Sequence, residues 1–121
     1  MSPIEAWFAD RHWKPFRFQQ DVWAAYAAGK SGLIHAPTGL GKTLAAWLGP
    51  VASALTKPPA QPGLRVLWIT PLRALAVDTT QSLREPLAGL GLAWDVEMRT
   101  GDTSQKIRAQ LKKRLPEALV T

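Results

Sequence analysis

The sequence contains no cysteine among its 121 residues. This absence excludes disulfide frameworks, zinc sites built on thiolates and a cysteine nucleophile. A chain without thiols fits a reducing compartment, and we expect a cytoplasmic protein.

Long apolar runs are also absent from the sequence. No segment approaches the roughly 20 consecutive apolar residues that span a bilayer. Residues 1–7 lack the basic and apolar regions of a secretory signal. We therefore expect a soluble protein that is not secreted and that has no membrane partner.

Acidic residues are fewer than basic ones. Asp and Glu number 9 against 15 for Lys and Arg, so the formal net charge is +6. A surplus of this size favours binding to polyanions such as nucleotides or nucleic acid, and a merely basic soluble surface is the alternative. Hydrophobic residues make up 46% of the chain, which is enough for the core of one domain.

Short apolar runs alternate with segments in which apolar residues recur at helical spacing. Strands are predicted within residues 32–36, 65–70, 93–99 and 118–120, and helices within residues 18–26, 44–55, 72–87 and 104–114. Pro86 is expected to kink its helix, and the three prolines within residues 57–63 predict a surface connection. Because parallel strands need long crossovers, the alternation predicts an α/β fold with a mainly parallel sheet and helices on both faces.

The most specific motif is the sequence Ala-Pro-Thr-Gly-Leu-Gly-Lys-Thr at residues 36–43. It matches the phosphate-binding loop (P-loop) pattern except that Ala36 replaces the first glycine. Small glycines let backbone N–H groups turn toward an anion, and the helix predicted to begin near Lys42 directs its positive end to the same place. The predicted ATP-binding residues of the loop are Thr38, Gly39, Leu40, Gly41, Lys42 and Thr43.

Two side chains of this loop are the predicted catalytic residues. Lys42 would place its ammonium on the β- and γ-phosphates of ATP, and the Thr43 hydroxyl would be a ligand of the Mg²⁺ that bridges them. The alternative is a glycine-rich turn that only joins a strand to a helix. The apolar run before the loop and the apolar helical stripe after it favour phosphate binding.

With Ala36 at its start, the loop resembles that of superfamily 2 DExH-box helicases, whose form is Ala-x-Thr-Gly-x-Gly-Lys-Thr. The resemblance implies the first RecA-like lobe of such a helicase, a P-loop NTPase built as a three-layer sandwich with a mainly parallel sheet, here incomplete. It implies an N-terminal helical segment at residues 1–30 and a partial ATP-binding domain at residues 31–121, which stops before the DExH box.

The segment Pro-Phe-Arg-Phe-Gln at residues 15–19 resembles the adenine-reading Q motif. The resemblance implies that Gln19 binds the base, and a side-chain amide can both donate to adenine and accept from it. Gln20 is the alternative for this role, and either glutamine could simply lie exposed at a helix start. Phe16 is a candidate for stacking on the base.

Two later segments resemble motifs that grip a nucleic-acid strand. Residues 70–76 resemble motif Ia and residues 99–104 resemble motif Ic, and residues 119–121 look like the strand that enters motif Ib. Phosphate binding at a helix start needs no base specificity. A turn that only caps a helix is the alternative for the second segment. The nucleic-acid contacts that the resemblance implies are Pro71, Arg73, Thr100 and Gly101.

At finer grain, residues 7–8, 13–16, 31–39 and 71–76 resemble the Lhr-type helicases, specifically their bacterial ligase-associated branch. This resemblance implies an ATP-dependent helicase that acts on DNA rather than RNA. It also implies a DNA-repair setting and a functional association with a DNA ligase.

A strand end that carries acidic residues, which ATP hydrolysis needs to hold Mg²⁺ and orient water, is not recognisable. Residues 94–97 are the nearest match to such an acidic strand end. Their alternation of apolar and acidic residues is better explained by a strand whose acidic side chains face solvent. We therefore expect a truncated piece of a larger ATPase, inactive alone, in which the strand before the P-loop lacks its neighbours. A non-catalytic nucleic-acid-binding fragment and a small P-loop phosphotransferase are the alternative functions.

Overall fold

The computed structural model describes residues 2–37 and 41–121, and it divides into two compact units, Met1–Pro58 and Pro59–Thr121. The elements in chain order are α1 Pro3–Asp10, α2 Arg17–Ala27, α3 Lys42–Thr56, β1 Val66–Trp68, α4 Arg73–Leu90, β2 Val96–Met98, α5 Gln105–Lys113 and β3 Ala118–Val120. The division falls in the proline-rich segment, where residues 57–62 are all exposed, which confirms the predicted surface connection. Within the described ranges, no helix is long and apolar enough to cross a membrane.

The first unit begins with α1, whose two ends are fixed by local side chains. At its start the Ser2 hydroxyl accepts a hydrogen bond from the Glu5 N–H at 3.2 Å, and the Glu5 carboxylate accepts one from the Ser2 N–H. At its other end His12 adopts the left-handed conformation, with φ 59°, and the Trp13 N–H donates to the Phe8 carbonyl at 2.9 Å. This turn brings the Trp13 ring back against Phe8, with centroids 6.2 Å apart.

Helices α2 and α3 pack together as the core of the first unit. Trp47, Leu48 and Val51 on α3 are fully buried. Gly49 lets α2 approach closely, because a Cβ at this position would lie 3.1 Å from the Cβ and Cγ of Tyr26. Burying each large apolar side chain contributes about 1.5–3 kcal/mol, so this helix pair carries much of the stability of the unit. Both helices lie where apolar spacing predicts them.

Residues 31–37 form neither helix nor strand, so the strand predicted at residues 32–36 is wrong. Leu33, in the middle of the segment, is 93% exposed. A strand exists only where a neighbouring strand pairs with its N–H and C=O groups, and strand pairing in the described part of the chain involves β1, β2 and β3 alone. The apolar run is therefore not enough by itself to make a strand.

The second unit contains a three-stranded parallel sheet in the order β1-β3-β2. The central strand pairs with both neighbours, so that Ala118 is in register with Val66 on one side and Val96 on the other. All three strands lie inside their predicted segments, and α4 and α5 follow β1 and β2 as crossover helices. The predicted α/β fold with a parallel sheet is confirmed, and the sheet is small and incomplete.

Helix α4 packs on the strands β2 and β3 through one apolar face. Its buried residues are Ala76, Thr80, Leu83, Pro86 and Leu87. The Thr80 hydroxyl donates to the Ala76 carbonyl at 2.6 Å, which satisfies a polar group that would otherwise be buried without a partner. The helix continues through Pro86 to Leu90, so the proline does not end it.

Candidate functional site

The start of α3 carries the last residues of the predicted P-loop. Thr38, Gly39 and Leu40 lie outside the described residues, whereas Gly41, Lys42 and Thr43 lie inside them. Gly41 is the N-cap and adopts the left-handed conformation with φ 81°, and Lys42 and Thr43 are the first two residues of the helix. Among the described residues, no side chain caps this helix start, and its first turn has no acidic residue. The backbone N–H groups and the positive end of this helix therefore suit an anion such as phosphate.

Gln19 connects α2 directly to this helix start. Its Nε2 donates to the Gly41 carbonyl at 3.1 Å, and its Oε1 accepts from the Phe16 N–H at 2.9 Å. The side chain is almost fully buried, with 2% exposed. A Cβ on Gly41 would lie 2.4 Å from Gln19 Nε2, so position 41 requires glycine both for its φ and for this contact. Within residues 2–37 and 41–121, these two bonds leave the amide a second N–H and a second lone pair.

A cavity of about 490 Å³ opens beside Gln19 in the first unit. Its lining residues are Phe8, His12, Trp13, Lys14, Phe16, Gln19, Gly41 and Leu44. Phe16 is 51% exposed and stacks on Phe18, with ring centroids 5.9 Å apart. An aromatic wall with one amide group at its base is the chemistry that a flat heterocycle such as adenine needs.

The structure separates the two glutamines that the sequence leaves as alternatives. Gln19 lines the cavity next to Gly41, whereas the exposed Gln20 lines a different and smaller cavity with Ser2 and Ala52. Of the two, Gln19 alone contacts the start of α3 among the described residues. The geometry therefore places Gln19, and not Gln20, beside the described end of the predicted P-loop.

Among the lining residues without a predicted binding role are His12, Trp13 and Lys14. Their position follows from the turn that ends α1, because the left-handed His12 directs the chain back over Phe8. Trp23 is also unassigned, and its indole N–H donates to the Leu44 carbonyl at 3.1 Å, which ties α2 to the first turn of α3. The tryptophans themselves are visible in the sequence, but their partners depend on this turn and on helix packing.

In the second unit, the structure brings together the two segments predicted to contact nucleic acid. Arg73 is the first residue of α4, and Leu72 is an N-cap without a side-chain hydrogen bond. Arg73 Nη1 lies 3.3 Å from Asp102 Oδ1, and both side chains are mostly exposed. A Cβ on Gly101 would lie 2.5 Å from Arg73 Nη2, so the guanidinium rests on the Gly101 backbone. Pro71 is exposed just before this helix start.

The turn that contains Thr100 is held by hydrogen bonds of its own. The Thr100 N–H donates to Thr103 Oγ1 at 2.8 Å, and the Asp102 N–H donates to Thr100 Oγ1 at 3.2 Å. Arg108 donates to the Thr100 and Thr103 carbonyls at 2.9 and 3.1 Å, a role that the sequence analysis misses. The Ser104 hydroxyl then caps α5. The turn thus holds its shape independently of any ligand.

Residues 94–97, the nearest imitation of a hydrolytic acidic pair, lie at the surface beside arginines. Asp95 pairs with Arg114 at 3.8 Å, and Glu97 pairs with Arg84 at 3.6 Å. Both carboxylates are about half exposed, which agrees with a solvated alternation. Among residues 2–37 and 41–121, no group of three or more His, Asp or Glu side chains could hold a metal ion. A Mg²⁺ ion at the start of α3 would therefore need the phosphates of the nucleotide besides Thr43.

Comparison with known proteins supports the same family. The model of the DEAD/DEAH box helicase family matches residues 16–121. The Lhr helicase/probable uracil glycosylase of Mycolicibacterium smegmatis is 39% identical over 127 residues, which cover 95% of this chain and 8% of that relative. The ATP-dependent helicase Lhr-Core of Methanocaldococcus jannaschii is 32% identical over 138 residues, covering 99% of this chain and 16% of that relative.

Two solved structures are similar to the whole chain. The structure of Mycobacterium smegmatis helicase Lhr bound to ssDNA and AMP-PNP has a TM-score of 0.84 at 34% identity, covering 100% of this chain and 17% of that one. The DUF1998 helicase MrfA bound to DNA and AMPPNP also has a TM-score of 0.84, at 26% identity, with 100% and 16% covered. The chain thus spans only a small part of each relative. From its fold and its sequence, the chain belongs to the DEAD/DEAH box helicase family.

Proposed function

We propose that this chain is the ATP-binding portion of an ATP-dependent DNA helicase or translocase. The observation that carries the proposal is the start of α3, where Gly41 is held by the buried Gln19 amide and Lys42 and Thr43 follow at an uncapped helix N-terminus. Two similar structures were solved with an ATP analogue and DNA, which supports the same ligands here. In this assignment residues 1–30 are the helical segment with the Q-motif-like region, and residues 31–121 are the partial RecA-like domain.

At the nucleotide site, each side chain has a distinct task. Lys42 binds the β- and γ-phosphates with its ammonium, and Thr43 offers its exposed hydroxyl to Mg²⁺. When bound, Mg²⁺ neutralises charge on the phosphates. Gln19 orients adenine with the N–H and lone pair that its protein contacts leave free, and Phe16 stacks on the base. Backbone N–H groups of Thr38, Gly39, Leu40 and Gly41 complete the phosphate site.

At the strand site, the proposed contacts all reach the sugar–phosphate backbone. Leu72 gives α4 no side-chain cap, so the first N–H groups of this helix can bind phosphate, and Arg73 adds a guanidinium beside them. Thr100 lines a cavity with Arg73, Gly101 lies against the Arg73 guanidinium, and Pro71 lies two residues before Arg73 in the chain. Because phosphate contacts carry no base information, we propose binding that is independent of DNA sequence.

We further propose DNA repair as the setting, with a DNA ligase as a functional associate and the cytoplasm as the location. The resemblance of residues 7–8, 13–16, 31–39 and 71–76 to the ligase-associated branch of the Lhr-type helicases supports this proposal. The excess of basic residues in the chain agrees with DNA as the polyanion.

The direct test is Lys42→Ala in the full-length protein, with Lys57→Ala at the opposite end of α3 as the matched control. We expect Lys42→Ala to lower ssDNA-stimulated ATP hydrolysis by about two orders of magnitude or more. Affinity for ssDNA should change little, because the strand contacts lie elsewhere in the chain. Hydrolysis that survives Lys42→Ala would refute the site. Salt-sensitive ssDNA binding with no ATP affinity would instead favour a non-catalytic nucleic-acid-binding fragment. ATP binding in the absence of polynucleotide binding would favour a phosphotransferase.

A further inference from the structure

Asp102 places a negative charge inside a site proposed to bind a polyanion. Its Oδ1 lies 3.3 Å from Nη1 of Arg73, the only described ion pair of that arginine, and the two side chains are 76% and 68% exposed. An exposed pair of this kind is weak, because water competes for both charges. A phosphate group could therefore replace the carboxylate as the partner of Arg73.

The two residues of this ion pair differ in their conformational freedom. Asp102 lies in a turn fixed by its own N–H bond to Thr100 Oγ1 and by the Arg108 guanidinium, which binds the Thr100 and Thr103 carbonyls. The Arg73 guanidinium is the end of a long, exposed side chain, and it rests over Gly101, where no Cβ obstructs it. The backbone that carries Asp102 is thus held in place, which keeps the short carboxylate side chain near Arg73, whereas the long Arg73 side chain can reach a second partner.

We propose that Asp102 is an internal counterion of Arg73, which neutralises the guanidinium when no strand is bound and weakens its hold on a bound phosphate. This inference rests on the proposed binding of a DNA strand at this site. A guanidinium has several N–H donors, so phosphate can bind those that Asp102 leaves free. The carboxylate then lies close to the phosphate and repels it. The site therefore binds a strand with lower affinity than Arg73 without Asp102 would, which allows the strand to dissociate and advance.

The same arrangement predicts a change in salt dependence. Each phosphate that a cation neutralises on single-stranded DNA contributes about −0.7 to the slope of log K against log salt. A carboxylate beside the contact keeps counterions near the strand and reduces this contribution. Removing the charge of Asp102 should therefore make the slope steeper by up to about 0.7.

The first experiment measures the affinity of the full-length protein for an oligo(dT) strand at several salt concentrations. Asp102→Asn keeps the size of the side chain, and the turn is bonded through the Asp102 N–H rather than its carboxylate. We expect this variant to bind about two- to fivefold tighter, with the steeper slope. Asp78→Asn, an exposed acid on the same helix as Arg73, is the charge-matched control and should change affinity less. Equal or weaker binding by Asp102→Asn would overturn the inference.

The second experiment repeats Arg73→Ala in the wild-type and Asp102→Asn backgrounds. We expect the loss of affinity caused by Arg73→Ala to be larger when Asp102 is neutral, because Arg73 then acts without its counterion. Equal, non-zero losses in both backgrounds would overturn the counterion role and leave the proposed strand site intact. No loss in either background would show that Arg73 does not contact DNA, which defeats the proposed strand contact as well.

Discussion

Each unit contains a glycine at which the polar end of another side chain lies where a Cβ atom would otherwise be. At Gly41 this space holds Gln19 Nε2, 2.4 Å from where a Cβ would lie, and at Gly101 it holds Arg73 Nη2, 2.5 Å away. The neighbours differ in how they are held. Gln19 is buried and hydrogen-bonded at both ends of its amide, whereas Arg73 is exposed and joined to Asp102 by a long ion pair.

This difference in burial and hydrogen bonding indicates how rigid each site is. A buried, doubly bonded amide cannot move without leaving unpaired polar groups, so the surroundings of Gly41 permit one geometry. An exposed guanidinium can swing into water at little cost, so the surroundings of Gly101 can adapt. A rigid pocket suits a nucleotide of fixed shape, and an adaptable one suits a strand that moves.

The largest effect is expected for Gly41→Ala. The left-handed backbone costs a non-glycine residue about 1–2 kcal/mol, and displacing Gln19 leaves buried polar groups unpaired at about 1–3 kcal/mol. We expect markedly faster amide hydrogen exchange in the first turns of α3 and loss of ATP binding. Gly32→Ala, with open space around the new Cβ, is the control. Unchanged exchange in the Gly41 variant would contradict the rigid description of this site.

A smaller effect is expected for Gln19→Ala, which removes the same contact from the other side. The Phe16 N–H and the Gly41 carbonyl lose a partner, and we expect a local cost of about 1–3 kcal/mol together with weaker ATP binding. Gln20→Ala is the matched control and should stay within about 0.5 kcal/mol, because its side chain is exposed. Equal effects of the two substitutions on ATP affinity would remove Gln19 from the nucleotide site.

The comparison also shows what the sequence can and cannot predict. The P-loop motif predicts a helix start at Lys42 because glycine, lysine and threonine have fixed tasks at a phosphate site, and α3 begins at that residue. The periodic apolar positions likewise predict α4 and α5, since one face of each must pack. The contact of Gln19 with Gly41 joins residues far apart in the chain, and no local pattern reports such a contact.

The errors and omissions have the same physical origin. Residues 32–36 have the apolar pattern of a strand, but a strand also needs a paired neighbour, which periodicity does not reveal. Arg108 and Asp102 look like ordinary surface charges in the sequence, and their roles depend on the turn that brings them to Thr100 and Arg73. Long-range partners of polar side chains are therefore what the sequence leaves open.

The smallest effect on stability is expected for Gly101→Ala. The new methyl group meets only the movable end of Arg73, and the backbone of Gly101 is not left-handed, so the cost should stay within about 0.5 kcal/mol. Affinity for ssDNA should nevertheless fall by about two- to fivefold, because Gly101 is itself a proposed strand contact and the new methyl group would crowd a bound phosphate. The measurements are hydrogen exchange in α4 and anisotropy with a labelled oligonucleotide. A large loss of stability would mean that this site is as rigid as the one at Gly41.

The most direct measurement is the equilibrium affinity of the full-length protein for a non-hydrolysable ATP analogue in the presence of Mg²⁺. We expect the wild type and Lys57→Ala to bind the analogue equally. Lys42→Ala should bind it at least about tenfold more weakly, since the Lys42 ammonium is the main positive charge proposed to contact the phosphates. Absence of binding by the wild type, or equal binding by Lys42→Ala, would contradict the assignment of the start of α3 as a nucleotide site.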